Sequence, residues 1–486
     1  MDKSSNLKKA SSSFIWRLGE RIGSQGVTLL VTIVLARLLE PTAFGEVAIM
    51  TVFVAFIQIF VDSGLSTALI RKKDADNLDF KAAFIYNITT GIGLYVIIFL
   101  SAPLISNYYQ MQNLTPMLRV QSVIVIISAL KNIQFAYVSR TMQFKLFFFS
   151  TLTGNIVSGV LGIVLAYSGF GTWSLVIQSV FNNAISALIL WITVRWRPTG
   201  KFLFTRLFDL LKFSWKILVT VLIDTLLNSI RQLIIAKKYS AEDLAFYTKG
   251  SQYTVTISSA ISVSLDSVLL PMMSQNQYDN VKLKQMTRLS MRVGLYCIMP
   301  LLMGFCFIAT PVVRILLTEK WLPAVPFIII FCIDGMLKPI HAAHYNALNA
   351  KGRSDIVLKL GIVKTVLQVI FLVFTVKYGV IQIALGYIVC SFIGVILDSI
   401  PNIKILKYTI QEQLKDILPI VLINAVMGIV LVFINFLPIK DWLLIILDIA
   451  FGIIVYIVIS VTLKIDCFNL TKNIIIDIIK KIKRET

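Results

Sequence analysis

DIVLKLGIVKTVLQVIFLVFTV (residues 355–376) and GVIQIALGYIVCSFIGVILDSIPNI (residues 379–403) lie almost back to back in this chain. Each is long enough to cross a bilayer as a helix, which takes roughly 20 mostly apolar residues. A short turn, Lys377-Tyr378-Gly379-Val380, joins them. The same pattern continues in both directions. Apolar segments fall at 13–38, 43–68, 82–107, 115–138, 144–168, 171–195, 209–236, 242–270, 286–310 and 324–348, and after the quoted pair at 415–436 and 441–463. That makes about fourteen spans, so the expected fold class is an all-α polytopic membrane protein.

Composition agrees. The 486 residues are 57% hydrophobic, and mean hydropathy is +0.82, which excludes a soluble globule. The net charge of +21 resembles a nucleic-acid signal, but its position argues otherwise. Arg71, Lys72, Lys73 and Lys81 follow span two; Arg195, Arg197, Lys201 and Arg206 follow span six. Lys282, Lys284 and Arg288 follow span eight, Lys404 and Lys407 follow span twelve, and Lys480, Lys481, Lys483 and Arg484 crowd the tail. Such alternation is the positive-inside pattern, with both termini expected in the cytoplasm and no nucleic-acid partner. The opposite connections are short and leave no room for an extracytoplasmic catalytic domain. Five cysteines without a CxxC pair are expected as small core residues.

The chain also repeats weakly. Ala36-Arg37 followed by Ala43-Phe44-Gly45 is echoed about 200 residues later by Ala236-Lys237 and Ala245-Phe246-Tyr247. Asp62-Ser63 is echoed by Asp266-Ser267, and the turn Tyr167-Ser168-Gly169-Phe170-Gly171 by Lys377-Tyr378-Gly379-Val380. The expected organisation is two pseudo-symmetric six-helix bundles, residues 1–200 and 201–408, around a central cavity. Two extra helices and a basic tail follow at 409–486.

Charges inside the spans carry the functional signal. A Lys or Arg near the bilayer centre costs about 2.5–3.5 kcal/mol on insertion scales, so repeated cases point to a polar cavity. In span one, Arg17, Glu20, Arg21, Ser24, Gln25, Thr28 and Thr32 share a face opposite Gly19, Gly23 and Gly26; the alternative for Arg17 and Arg21 is snorkelling to headgroups. In span seven, Lys216, Thr220, Asp224, Asn228 and Arg231 form one stripe; a buried structural ion-pair network is the alternative. Span ten offers Asp334, Lys338, His341, Tyr345 and Asn349. Arg21, Gln25, Lys216, Thr220, Asp224, Asn228, Arg231 and Lys338 are the expected substrate-binding residues. Asp334, His341, Asp62 and Asp266 are candidates for ion coupling or ion pairing. Lys131, Arg292, Gln58, Gln178, Asn182 and Ser186 are further polar positions. His341 and His344 lack a third ligand nearby, so no metal site is expected. No Walker A, GxSxG or HExxH motif is present, and neither cofactor nor enzyme activity is expected.

Three segments carry a family resemblance. Ala36-Arg37-Leu38-Leu39-Glu40-Pro41-Thr42-Ala43-Phe44-Gly45-Glu46 resembles the first-to-second helix turn of polysaccharide exporters in the MOP flippase superfamily. Gly169-Phe170-Gly171-Thr172-Trp173-Ser174-Leu175-Val176 and Lys351-Gly352-Arg353-Ser354-Asp355 are similar to that family's five-to-six turn and ten-to-eleven loop. The likeness is closest to Wzx-like exporters. It implies a V-shaped pair of bundles in the bacterial inner membrane that moves undecaprenyl-diphosphate-linked oligosaccharides to the periplasmic leaflet. The polyprenyl diphosphate oligosaccharide and membrane lipids are then the expected partners, joined by the polysaccharide polymerase and export machinery. The alternative is another transporter of the superfamily, a lipid II flippase or a multidrug cation exporter; the latter calls for a more acidic cavity.

Overall fold

The computed structural model describes the backbone of residues 3–62, 64–72, 74–200, 202–463 and 468. Side chains of residues 3–15, 17, 18, 22, 71, 213, 216, 217, 220, 223, 224, 227, 228, 259–268, 270 and 271 also lie outside the description. The helices are α1 (Lys3–Leu38), α2 (Pro41–Asp62), α3 (Leu65–Arg71), α4 (Asn77–Tyr109), α5 (Leu114–Gln121), α6 (Val123–Arg140), α7 (Phe144–Tyr167) and α8 (Thr172–Thr193). They continue with α9 (Phe204–Lys238), α10 (Ala241–Gln275), α11 (Asn280–Leu317), α12 (Val325–Ala350), α13 (Ser354–Thr375), α14 (Val380–Leu406), α15 (Ile410–Asn435) and α16 (Asp441–Thr462). No strand occurs among the described residues. Twelve stretches among them are long and apolar enough to cross a membrane. The helices α9 and α10, each of 35 residues, occupy the expected seventh and eighth positions, so the chain is compatible with about fourteen spans.

Local chemistry sets the boundaries. Pro41 opens α2, where its missing N–H and fixed φ suit a first turn. The second expected span is split, because Gly64 takes a left-handed conformation (φ 69°) that ends α2 and starts the short α3. Asp76 caps α4 in a reciprocal box with Asp79. The hydrogen bond from the Asp79 N–H is the main reason the Asp76 carboxyl sits below the usual carboxylate range. Thr409 and Glu412 form a second such box on α15.

By packing the chain divides into two units, residues 1–245 and 246–486. In the first, α7 presents Ser150, Gly154, Ser158, Gly162 and Ala166, all buried, at four-residue spacing. This small-residue stripe lets α8 come close. Its counterpart on α8 is Gln178, Asn182 and Ser186: Gln178 Cβ lies 3.0 Å from where a Gly162 side chain would begin, and Ser150 Oγ donates to the Ser186 carbonyl at 2.7 Å. A further core of the unit joins Leu69 of α3, Phe80 of α4 and Ile133 of α6 to Val194 and Trp196 after α8.

In the second unit α11 is the axis. Its 38 residues make a rod about 57 Å long, and α12, α15 and α16 pack along it. Ion pairs fasten the C-terminal helices at both ends. Arg288 grips Asp416 through Nε at 2.7 Å and Nη2 at 2.8 Å, and Lys284 reaches Glu412 at 2.7 Å. At the far end Arg314 holds Asp441 at 2.9 Å. Between them Tyr296 donates to Ser460 at 2.9 Å, and Tyr456 donates to the Tyr296 carbonyl at 2.8 Å.

Gly45 belongs to the quoted Ala43-Phe44-Gly45 segment for a steric reason. A Cβ there would overlap the backbone carbonyl of Ala241, which cannot swing aside as a side chain does. Gly45→Ala should therefore destabilise the protein by about 1–3 kcal/mol through overpacking. Gly26→Ala, with no described atom within 4 Å of its Cβ, should cost nothing measurable. Thermal unfolding of both variants in detergent checks the difference. Equal melting temperatures would show that the Gly45 contact does not constrain the fold.

Candidate functional site

Hydrocarbon offers a polar side chain no hydrogen-bond partner, so each one inside a span must find its partner in the protein or in a wet cavity. In the first unit Asn155 of α7 does much of this. Its Nδ2 donates to Ser24 Oγ at 2.5 Å and Thr28 Oγ1 at 3.3 Å on α1. Its Oδ1 accepts from Asn182 of α8, whose Nδ2 also reaches Ser158 at 3.2 Å. Ser24 and Thr28 of the expected polar face of α1 are thus spent on packing. Gly23 lies on the α7 side too, its would-be Cβ 3.6 Å from Leu152. Arg21 and Gln25 sit beside this seam and are exposed. Arg231 of α9 is buried, with 7% exposure. The side chains of Lys216, Thr220, Asp224, Asn228 and Asp266 lie outside the described residues. Asp62 is exposed at the end of α2 and accepts from Asn132 of α6, next to Lys131. One turn back, Gln58 donates to Ser128 at 2.6 Å.

In the second unit the candidates of α12 are sorted differently. Asp334 is buried at 5% exposure and Lys338 is half-buried. His341 does not turn along its own helix towards them. Its Nδ1 lies 2.7 Å from Oδ2 of Asp398 on α14. The same carboxylate receives Lys364 of α13, with Nζ 2.9 Å from Oδ1 and 3.0 Å from Oδ2. Asp398 is 4% exposed, His341 24% and Lys364 27%. Gly394 leaves the space for this meeting: a Cβ there would stand 3.1 Å from His341 Cε1 and 3.2 Å from Lys364 Cδ. His344, one turn on, is fully buried, its ring tilted against that of Tyr408 with centroids 6.2 Å apart. Among the described residues no three His, Cys, Asp or Glu side chains gather as metal ligands.

Asp398 and Lys364 are absent from the candidates drawn from helical projection. Each has only a few polar neighbours on its face, Ser391 and Asn402 beside Asp398 and Gln368 beside Lys364, in an otherwise apolar span. Stripes favour helices rich in polar residues; isolated charges that pair across helices leave no periodic trace.

Known proteins place these features in context. The profile of a family described as "Polysaccharide biosynthesis protein" matches residues 34–326. A Klebsiella pneumoniae protein named "Uncharacterized membrane protein in cps region" is 26% identical over 377 residues, 76% of this chain and 77% of that one. The teichuronic acid biosynthesis protein TuaB of Bacillus subtilis (strain 168) is 25% identical over 391 residues, 77% of this chain and 78% of that one. The structure of the lipid II flippase MurJ in an inward closed conformation superposes with a TM-score of 0.76 at 17% identity, over 94% of this chain and 99% of that one. At that identity the likeness is one of fold.

The pairing around Asp398 makes a stability prediction. Asp398→Ala strands the Lys364 ammonium inside the span and should destabilise by about 3 kcal/mol, the low end for breaking a buried pair, since Lys364 keeps some exposure. Asp398→Leu combined with Lys364→Met removes both charges and should recover most of that loss. Melting temperatures of the three proteins in one detergent decide it. A double variant no more stable than Asp398→Ala would mean the ion pair is not what holds these helices.

Proposed function

We infer a transport function from one premise: this chain belongs to the polysaccharide biosynthesis protein family. Two of the three segments that resemble polysaccharide exporters, at 36–46 and 169–176, fall inside the matched region. The chain is a multi-pass membrane protein, and the longest connection between its described helices is residues 194–203. We propose that it flips undecaprenyl-diphosphate-linked oligosaccharide repeat units from the cytoplasmic to the periplasmic or outer leaflet, for O-antigen, capsule or exopolysaccharide synthesis. It acts as a transporter and not as an enzyme. The observation that carries this reading is cationic and amide side chains set within apolar spans: Arg21 and Gln25 on the exposed side of α1, and Arg231 on α9.

The chemistry fits the cargo. A hydrated, anionic headgroup cannot cross hydrocarbon unaided, while its polyprenyl tail can stay in lipid. An arginine fork donates two parallel hydrogen bonds to a phosphate, and amide and hydroxyl groups replace water around sugars. Arg231 is enclosed in this state, so cargo reaches it only after rearrangement. The proposed binding set is Arg21, Gln25, Lys216, Thr220, Asp224, Asn228, Arg231 and Lys338. Moving about two negative charges outward gains roughly 4–5 kcal/mol per 100 mV of inside-negative potential. By repeat, we divide the chain into residues 1–200, 201–408 and 409–486. This differs from the packing units because α9 packs on α2, α3 and α4. The basic connections favour an inner-membrane protein with both termini in the cytoplasm. The polymerase and export machinery would take up the product.

Lysine keeps the charge of arginine but not its planar fork. Arg231→Ala should lower export on the order of tenfold or more, the worth of one charge-assisted hydrogen bond, while Arg231→Lys keeps part of it. Arg21→Ala should be milder, and Lys480→Ala in the tail should change little. The measurement is export of labelled lipid-linked oligosaccharide in cells lacking their own exporter, at matched expression. Wild-type rates in both alanine variants would overturn the cationic-site mechanism.

A further inference from the structure

We propose that His341, Asp398 and Lys364 form a proton-binding site whose occupancy controls how firmly α13 is held; the inference rests on the transport reading only for its use. Two donors, the His341 imidazole and the Lys364 ammonium, share one carboxylate that is 4% exposed. With His341 neutral, its Nδ1–H and the Lys364 ammonium both bond to Asp398, and the cluster is electrically neutral. A proton arriving on Nε2, the ring nitrogen 3.4 Å from Ser391 Oγ, turns His341 into a second cation on the same acid. The cluster then carries a net positive charge inside a span, which is costly. The two cations also repel each other. Imidazolium and carboxylate then neutralise one another, so the hold of Asp398 on Lys364 weakens.

Lys364 is the partner on the more loosely packed helix. Among the described residues α13 buries only Leu372, and it packs on α14 and lightly on α12. The Lys364–Asp398 bond is a polar tie of α13 within its span. Asp398, by contrast, sits on α14, which buries eleven residues including Ala384, Gly394 and Asn402. The charged and titratable groups near His341 in the fold include Asp398 from α14, Lys364 from α13, and Asp334, Lys338, His344 and Tyr345 on α12 itself. The neighbouring α11 carries Arg288, Arg292 and Tyr296, of which Arg288 is bound to Asp416 and Tyr296 to Ser460. Asp398 is thus the acid that holds both His341 and Lys364.

Amide exchange over residues 354–375, measured on the full chain in lipid nanodiscs, tests this. Rates are compared at pH 8 and pH 5.5 after correction for the intrinsic pH dependence of exchange. In the wild type, exchange in α13 should rise on the order of tenfold on acidification, the factor one charge-assisted bond is worth. His341→Gln, which keeps a donor to Asp398 but cannot take up the proton, should abolish that rise. Lys364→Met should exchange fast at both pH values. A flat wild-type response, or a pH response that survives in His341→Gln, overturns the proposal. Export of lipid-linked oligosaccharide is scored separately in cells. Normal export with a pH-insensitive α13 removes the proton site alone, and a pH-sensitive α13 without export removes the transport reading alone.

Discussion

Hydrocarbon supplies no hydrogen-bond partners, and that constraint organises this protein more than any single contact. Polar side chains placed in the spans turn to backbone carbonyls of their own helix or to side chains across helices. Asn155 serves α1 and α8 at once. Tyr296 and Tyr456 tie α11 to α16. Gln178, Asn182 and Ser186, a polar stripe by projection, line up against the small residues of α7. A polar stripe in a span therefore has two meanings, adhesive or cavity wall, and only a partner across the interface tells them apart.

Acids are the scarce partner. The chain has 46 Lys and Arg against 25 Asp and Glu, so carboxylates are shared. Asp416 accepts from Arg288 and from Tyr408 at 2.7 Å. Asp79, fully buried at the start of α4, meets Lys72 at 2.7 Å and Arg206 at 3.7 Å. Asp398 holds Lys364 and His341. Sharing makes each of these acids a junction between helices. It also leaves a surplus of positive charge for an anionic cargo, with Arg21 the clearest described case in a span.

The helices were legible because each apolar run must be about as long as the bilayer is thick, and turn residues such as Pro41 and Gly379 mark the ends. The split at Gly64 was not, since its left-handed backbone depends on how α3 folds back over the core. In the site, Arg21, Gln25 and Arg231 stand out as polar residues in periodic company. Asp398 and Lys364 keep sparser company, Ser391 and Asn402 for the one and Gln368 for the other. Their significance comes from meeting across helices more than 30 positions apart in sequence, which no periodicity encodes. His341 was visible as a titratable group, but its partner was not.

The fastening of α15 and α16 to α11 has a practical side. Arg288–Asp416 fixes one end and Arg314–Asp441 the other, while the tyrosine pair locks the middle. Sliding along α11 would break all of these at once, so the two helices travel with it as a rigid handle. A fluorophore or spin label on the outward side of α16, for example at the exposed Ile453, would act as a pointer to the motion of α11 without touching any residue of the candidate site.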